Sequence, residues 1–120
     1  MDKNTKIYIA GHRGMVGSAI WRALGGKGYT NLVGRTSKEL DLKNQQAVTV
    51  FFETEKPEIV VDAAARVGGI LANKEYPYQF LMENLQIQNN LIATAHQTKV
   101  EKFIFFRIFM YLSQIGTTTA

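Results

Sequence analysis

Lys6-Ile7-Tyr8-Ile9-Ala10-Gly11-His12-Arg13-Gly14-Met15-Val16-Gly17-Ser18-Ala19-Ile20 is the stretch whose reading decides the fold. Apolar, β-prone residues run into a glycine turn, and a helical pattern begins at once, with Val16, Ile20 and Leu24 on one face. Strand, glycine loop and helix form the opening unit of a dinucleotide-binding sheet. Each glycine has a physical task. Gly11 turns the chain sharply off the strand. Gly14 lets a pyrophosphate approach backbone N–H groups at the positive end of the helix. Gly17 lets the helix pack closely on the strand. The spacing is Gly-x-x-Gly-x-x-Gly rather than Gly-x-Gly-x-x-Gly, so the flanking strand and helix carry the assignment; the bland alternative is a glycine turn without a ligand.

The same alternation continues along the chain. A strand is predicted over 31–34, after Gly25-Gly26-Lys27-Gly28 stops the first helix near Leu24. A polar loop from Arg35 to Asp41 leads into a second helix from Asn44 to about Thr54, carrying Val48, Phe51 and Phe52. Ile59-Val60-Val61-Asp62 is apolar on both faces, as a buried parallel strand is. A long helix from Tyr78 to about His96 and a fourth strand over 102–106 complete a βαβαβαβ order. The predicted class is α/β: the N-terminal half of a doubly wound, Rossmann-type parallel sheet, truncated. The expected strand order is 3-2-1-4, with the ligand crevice at the carboxyl ends of strands one and four.

With 120 residues the chain is long enough for one small domain. It has no cysteine, which rules out disulfides, thiolate metal sites and a cysteine nucleophile, and suits a reducing, cytoplasmic setting. The net charge of +4 suits an anionic nucleotide and equally a plain soluble domain. Lysines and arginines are dispersed, so no nucleic-acid partner is expected. No apolar run reaches ~18–20 residues, and no membrane association is expected. His12 and His96 are lone histidines without metal-ligand spacing, so no metal site is expected.

Strand two ends in Gly34-Arg35-Thr36-Ser37, where an NAD-preferring fold usually carries an acidic residue for the ribose hydroxyls. An arginine there can fork onto a 2′-phosphate, and Arg13 in the glycine loop can reach the same place, which favours NADP over NAD. In Leu40-Asp41-Leu42 the aspartate or its backbone can meet an adenine; alternatively Asp41 or a residue just after it caps the second helix. The small side chains of Ala63-Ala64-Ala65 let a ligand approach a strand end, or simply pack tightly. The loop Arg66-Val67-Gly68-Gly69-Ile70 follows beside the expected crevice. Asn84, Asn89 and Asn90 on the third helix are suited to bonding nearby backbone groups more than a ligand.

These residues give the chain a family likeness. It resembles the GDP-L-fucose synthases, the GDP-4-keto-6-deoxy-D-mannose epimerase/reductases of the extended short-chain dehydrogenase and NAD-dependent epimerase group. The likeness rests on Gly11-His12-Arg13-Gly14-Met15-Val16-Gly17-Ser18-Ala19-Ile20, on Arg35-Thr36 with Glu39-Leu40-Asp41-Leu42, on Ala63-Ala64-Ala65-Arg66-Val67-Gly68-Gly69-Ile70, and on Glu83-Asn84-Leu85-x-Ile87-Gln88-Asn89-Asn90. Family members usually carry lysine where Arg66 stands. The resemblance implies NADPH as cofactor and GDP-4-keto-6-deoxy-D-mannose as the full-length substrate. It implies pyrophosphate contact along Gly11 to Gly17, including His12, Met15 and Val16. It further implies a 2′-phosphate at Arg13 and Arg35, adenine between Asp41 and Leu42, cofactor contact at Ala63, Ala64 and Ala65, and sugar near Val67, Gly68 and Gly69. The resemblance also implies a homodimer for the full-length protein.

Residues 107–120 depart from the family, which continues as Leu-Gly-Ser-Ser-Cys-Ile-Tyr-Pro-Lys and later supplies a Tyr-x-x-x-Lys pair and a histidine acid. Codons permitted by Phe106 to Ala120, read one base later, spell Leu-Gly-Ser-Ser-Cys-Ile-Tyr-Pro-Lys-Leu-Ala-Pro-Gln-Pro. A partial NADP-binding domain over 1–106 followed by an out-of-frame tail is therefore expected, with no catalytic residue assigned and no activity for the chain alone. A non-catalytic nucleotide-binding or interaction module is the alternative. The fourth strand is expected to present an apolar edge, an aggregation hazard.

Overall fold

The computed structural model describes residues 2–64 and 77–105. Among them, strands and helices alternate as β1 (Ile7–Ala10), α1 (Met15–Gly26), β2 (Leu32–Val33), α2 (Gln45–Glu55), β3 (Ile59–Asp62), α3 (Pro77–Gln97) and β4 (Lys102–Phe105). All the strand pairs are parallel. Period-two alternation sends successive strand side chains to opposite faces. Ile7, Ile9, Ile59 and Val61 meet Ile20, Trp21 and Leu24 of α1 on one face. Tyr8 and Val60 meet Val48, Phe51 and Phe52 of α2 and Leu91 of α3 on the other. Tyr8 stands edge-on to Phe51 and Phe52, with ring centroids 4.7 and 5.8 Å away. Burial, reinforced by the Asp62 carboxylate, pushes the Tyr8 phenol well above its usual range, so it stays neutral.

The α/β class is as expected, but the strand order is not. The sheet runs β2-β1-β3-β4, so the third strand lies between the first and the fourth rather than outside the second. The physical reason lies in the two crossovers. α1 covers one face on the way from β1 to β2, and α2 covers the opposite face on the way to β3. Both connections can be right-handed only if the chain reverses its direction across the sheet after β2. The pairing supports this. β2 bonds over just two residues, Ile7↔Leu32 and Tyr8↔Val33, whereas β3 is paired over four residues on each side and is wholly buried. The switch point, and with it the crevice, falls between β1 and β3 instead of between β1 and β4.

Element ends show smaller differences. Gly25 and Gly26 remain helical, and the reversal falls at Gly28, with φ +95°, where Tyr29 N donates to Leu24 O at 3.0 Å. α2 is capped by Asn44, whose Oδ1 accepts from Ala47 N at 3.1 Å, and ends at Lys56 in the left-handed region. β2 and β4 are shorter than expected, and Phe106 lies outside the described residues.

Candidate nucleotide site

Ala10 and Asp62 are in register, so the chain leaves β1 and β3 side by side, tied by Ala63 N donating to Ala10 O at 2.9 Å. Gly11 turns at once, with φ +78°. A Cβ there would run into the Ala63 carbonyl and lie 2.7 Å from Ala64 Cα. Gly17 is buried under this turn; a Cβ on it would strike the Gly11 carbonyl and come within 2.9 Å of His12 Cα. The close approach expected of Gly17 is thus to the loop itself rather than to the strand.

Gly14 differs. A Cβ there would meet Gly11 O at an ordinary 3.4 Å, so the chain's own packing does not demand glycine. Gly14 is the N-cap of α1, lacks a side chain to cap it, and no acidic residue occupies the first helical turn. The amino end of α1 therefore keeps its partial positive charge available to an anion.

The His12 ring packs 5.5 Å from Trp21 and fills the space beside Gly34, where a Cβ would come within 2.7 Å of it. Burial holds its pKa below the ordinary value; the Arg13 and Arg35 cations push the same way, and Glu39 opposes them. At the end of β2, Arg35 Nη1 donates to Gly34 O at 2.8 Å, Nη2 meets Glu55 Oε2 at 3.1 Å, and the guanidinium lies 5.2 Å from the Phe51 ring centre. Beyond it, Thr36 N donates to Glu39 Oε1 at 2.8 Å and Glu39 N to Thr36 Oγ1 at 3.3 Å. Hydrogen bonds from the Thr36 backbone N–H and side chain to the Glu39 carboxyl hold it below its usual pKa. Asp41 does not cap α2; its Oδ1 accepts from Lys43 N at 3.0 Å in the preceding turn. Asn90 reaches across from α3, and its Nδ2 donates to Leu42 O at 2.8 Å.

A cleft of about 170 Å³ opens at this end of the sheet. Gly11, Gly14, Arg35, Asp41, Leu42, Ala63 and Ala64 line it. Sequence reasoning missed four further lining residues. Leu40 and Ile87 are buried members of the core that also line the cleft; Ser37 and Lys43 carry no assigned role, and only their place in the loop after β2 could have marked them. Arg13 and Met15 are exposed; with His12, Val16 and Gly17 they flank the cleft's loop without lining the cleft. Arg13 and Arg35 nevertheless both lie near enough to His12 and Glu39 for their charges to lower both pKa values. Ala65, Val67, Gly68 and Gly69 lie outside the described residues. Among the described residues, no group of acidic and histidine side chains is placed to hold a metal, and no helix is long and apolar enough to cross a membrane.

The sequence profile of the NAD dependent epimerase/dehydratase family matches residues 7–107. The chain belongs to that family. Within it, the chain is 55% identical to GDP-L-fucose synthase 1 of Arabidopsis thaliana, over 87% of this chain and 32% of that protein. It is 50% identical to GDP-L-fucose synthase of Escherichia coli K12, over 83% of this chain and 31% of that protein. The resemblance read from the loops is therefore borne out. Among solved structures, a GDP-D-glycero-L-gluco-heptose synthase from Campylobacter jejuni, determined in the presence of NADPH, superposes with a TM-score of 0.83. It is 48% identical, over 88% of this chain and 31% of that one. The chain spans about a third of the length of the curated relatives it matches.

Proposed function

We propose that this chain is the NADP(H)-binding part of a GDP-L-fucose synthase, holding the dinucleotide across the switch point between β1 and β3. The observation that carries the reading is the cleft itself. It joins an uncapped helix amino end at Gly14, an arginine at the end of β2 and two small residues at the end of β3. The N–H groups of the α1 first turn would take the pyrophosphate, with Gly14 leaving room for it. Arg35, with Arg13 beside it, would take the 2′-phosphate. Asp41 and Leu42 would border the adenine, and Ala63, Ala64 and Ala65 would admit the cofactor to the strand end. His12, Met15, Val16 and Gly17 shape the loop, and Val67, Gly68 and Gly69 would lie toward the sugar. When bound, NADPH supplies the hydride that reduces a ketone.

The NADPH-associated heptose synthase and the fucose synthases support a GDP-linked keto sugar, GDP-4-keto-6-deoxy-D-mannose, as substrate of the full-length protein. The chain alone is expected to be inactive, because a general acid must stand within hydrogen-bond reach of the reacting oxygen and none is assigned here. Residues 107–120 are proposed as an out-of-frame tail, the setting as cytoplasmic, and the full-length assembly as a homodimer.

Titration of the chain with NADPH and NADH, followed by nicotinamide fluorescence, tests the reading. NADPH binding tighter than NADH supports it, and absence of binding by both overturns it. Nucleotide sequence from codon 100 onward decides the tail: an open alternate frame continuing into Tyr-x-x-x-Lys supports the frameshift, and a closed one overturns it.

A further inference from the structure

Glu55, at the carboxyl end of α2, grips two cations at once. Its Oε1 meets Lys6 Nζ at 3.0 Å and its Oε2 meets Arg35 Nη2 at 3.1 Å. Lys6 Nζ also donates to the Glu55 carbonyl at 2.8 Å, so the carboxylate is anchored from below whatever Arg35 does. Arg35 is held in three further or shared ways: by Glu55, by its own bond to Gly34 O at 2.8 Å, and by the Phe51 ring 5.2 Å beneath it. Its side chain is one-third exposed and faces both the cleft and the groove along α2.

We infer that Glu55 is a positioning residue for Arg35, holding the guanidinium at the mouth of the cleft and so setting the preference for a dinucleotide with a phosphate on its adenosine ribose. The inference rests on the proposed function and names a residue that does not itself touch the ligand. A guanidinium has five N–H donors, and the two contacts to Gly34 and Glu55 leave others for a phosphate. The trio of Lys6, Arg35 and Glu55 carries one net positive charge, since two cations face one carboxylate, so Glu55 does not cancel the attraction for an anion. An arginine already ordered by a carboxylate, a carbonyl and a ring loses little freedom when the phosphate arrives. One released from Glu55 must be ordered by the ligand instead, and that cost falls on affinity. Ion pairs a quarter to a third exposed are screened by solvent, so the consequence is expected more in binding preference than in folding.

The test compares the full chain with its Glu55→Ala and Glu55→Gln variants, using NADPH, NADH, 2′,5′-ADP and 5′-ADP as probes. Expected for Glu55→Ala is a loss of about two- to twelve-fold in affinity for the two 2′-phosphorylated probes, the range that ordering one long side chain converts to. Affinity for NADH and 5′-ADP should stay within about two-fold, a selectivity that general loosening of the fold would not produce. Glu55→Gln, which keeps the shape, should fall between. In an Arg35→Ala background the Glu55 substitution should have no further effect. Equal losses on all probes, or none, overturn the inference; tighter NADPH binding does so too, by making Glu55 a competitor for Arg35. NMR of the Arg35 Nε–Hε group in the ligand-free chain separates this idea from the reading beneath it. If the wild-type chain binds no NADPH, the proposed function fails, while loss of Arg35 order in Glu55→Ala would still show that Glu55 positions it; unchanged order overturns that as well.

Discussion

β1 and β4 are both four-residue parallel strands rich in apolar side chains, and they meet very different surroundings. Every residue of β1 is at most 1% exposed, whereas Ile104 and Phe105 of β4 are 37% and 38% exposed. β1 bonds to a strand on each edge and has a helix layer over each face. β4 bonds only to β3 among the described residues, and α3 beside it leaves Leu81, Met82, Leu85 and Ile92 open. Side-chain hydrophobicity decides that a strand wants burial; neighbours decide whether it gets it. The buried side of the sheet is also the side that carries the cleft, since the glycine loop springs from β1.

The largest expected break in this comparison is between two phenylalanines. Phe52 is wholly buried in the layer between the sheet and α2, and Phe52→Ala should lower stability by about 3–5 kcal/mol. Phe105→Ala should cost about 1 kcal/mol and reduce aggregation of the chain. Urea unfolding of the two variants decides it; similar losses would mean that β4 is packed as tightly as the centre.

A smaller contrast sits inside α1. Gly17→Ala forces a methyl into the Gly11–His12 backbone and should destabilise by about 2–3 kcal/mol, with loss of NADPH binding as the loop is pushed out of shape. Nothing lies within 4 Å of a Cβ built on Gly25, and Gly25→Ala should stabilise by about 0.5–1 kcal/mol. Thermal melts of the pair should therefore move in opposite directions. A shared direction would mean that the close approach under Gly17 is not what fixes the loop.

Much of the fold and part of the site were legible in the sequence, and particular residues show why. Ile7–Ala10 and Ile59–Asp62 stood out because buried parallel strands read as unbroken apolar runs between turn signals. Gly11 and Gly17 stood out because the conformations and contacts they occupy exclude a side chain. Strand order was not legible in the same way. It depends on which face of the sheet α2 covers, and Val48, Phe51 and Phe52 give that helix an apolar side without saying which sheet face will receive it. Nor was the Glu55 link to Arg35 legible, because twenty residues separate them and α2 must first be laid across the sheet. Ser37 and Lys43 reach the cleft only through the course of a loop that no periodicity describes. Asn44 is a middle case. A cap was expected near Asp41, and the asparagine just before the apolar run took the role. Asn44→Ala should cost about 1 kcal/mol, measured by urea unfolding.

The smallest expected effect tests the crowded side of the comparison by titration. Burial, then the Arg13 and Arg35 cations, disfavours a charged His12 in the folded chain. In the unfolded chain the imidazole takes its proton near its ordinary pKa of about 6.5. As pH falls through that range, the unfolded state binds more protons than the folded one, so stability must drop. The drop levels off once His12 is protonated in the folded state as well. The contribution is thus present above the ordinary histidine range and lost below it. Urea midpoints measured at successive pH values should show this slope, and His12→Asn should flatten it. A phosphate held by Arg13 and Arg35 would offset their share of the effect but not the share due to burial. Saturating 2′,5′-ADP should therefore shrink the slope without abolishing it; a slope that vanished would make the two arginines, rather than packing against Trp21 and Gly34, the main reason His12 resists protonation.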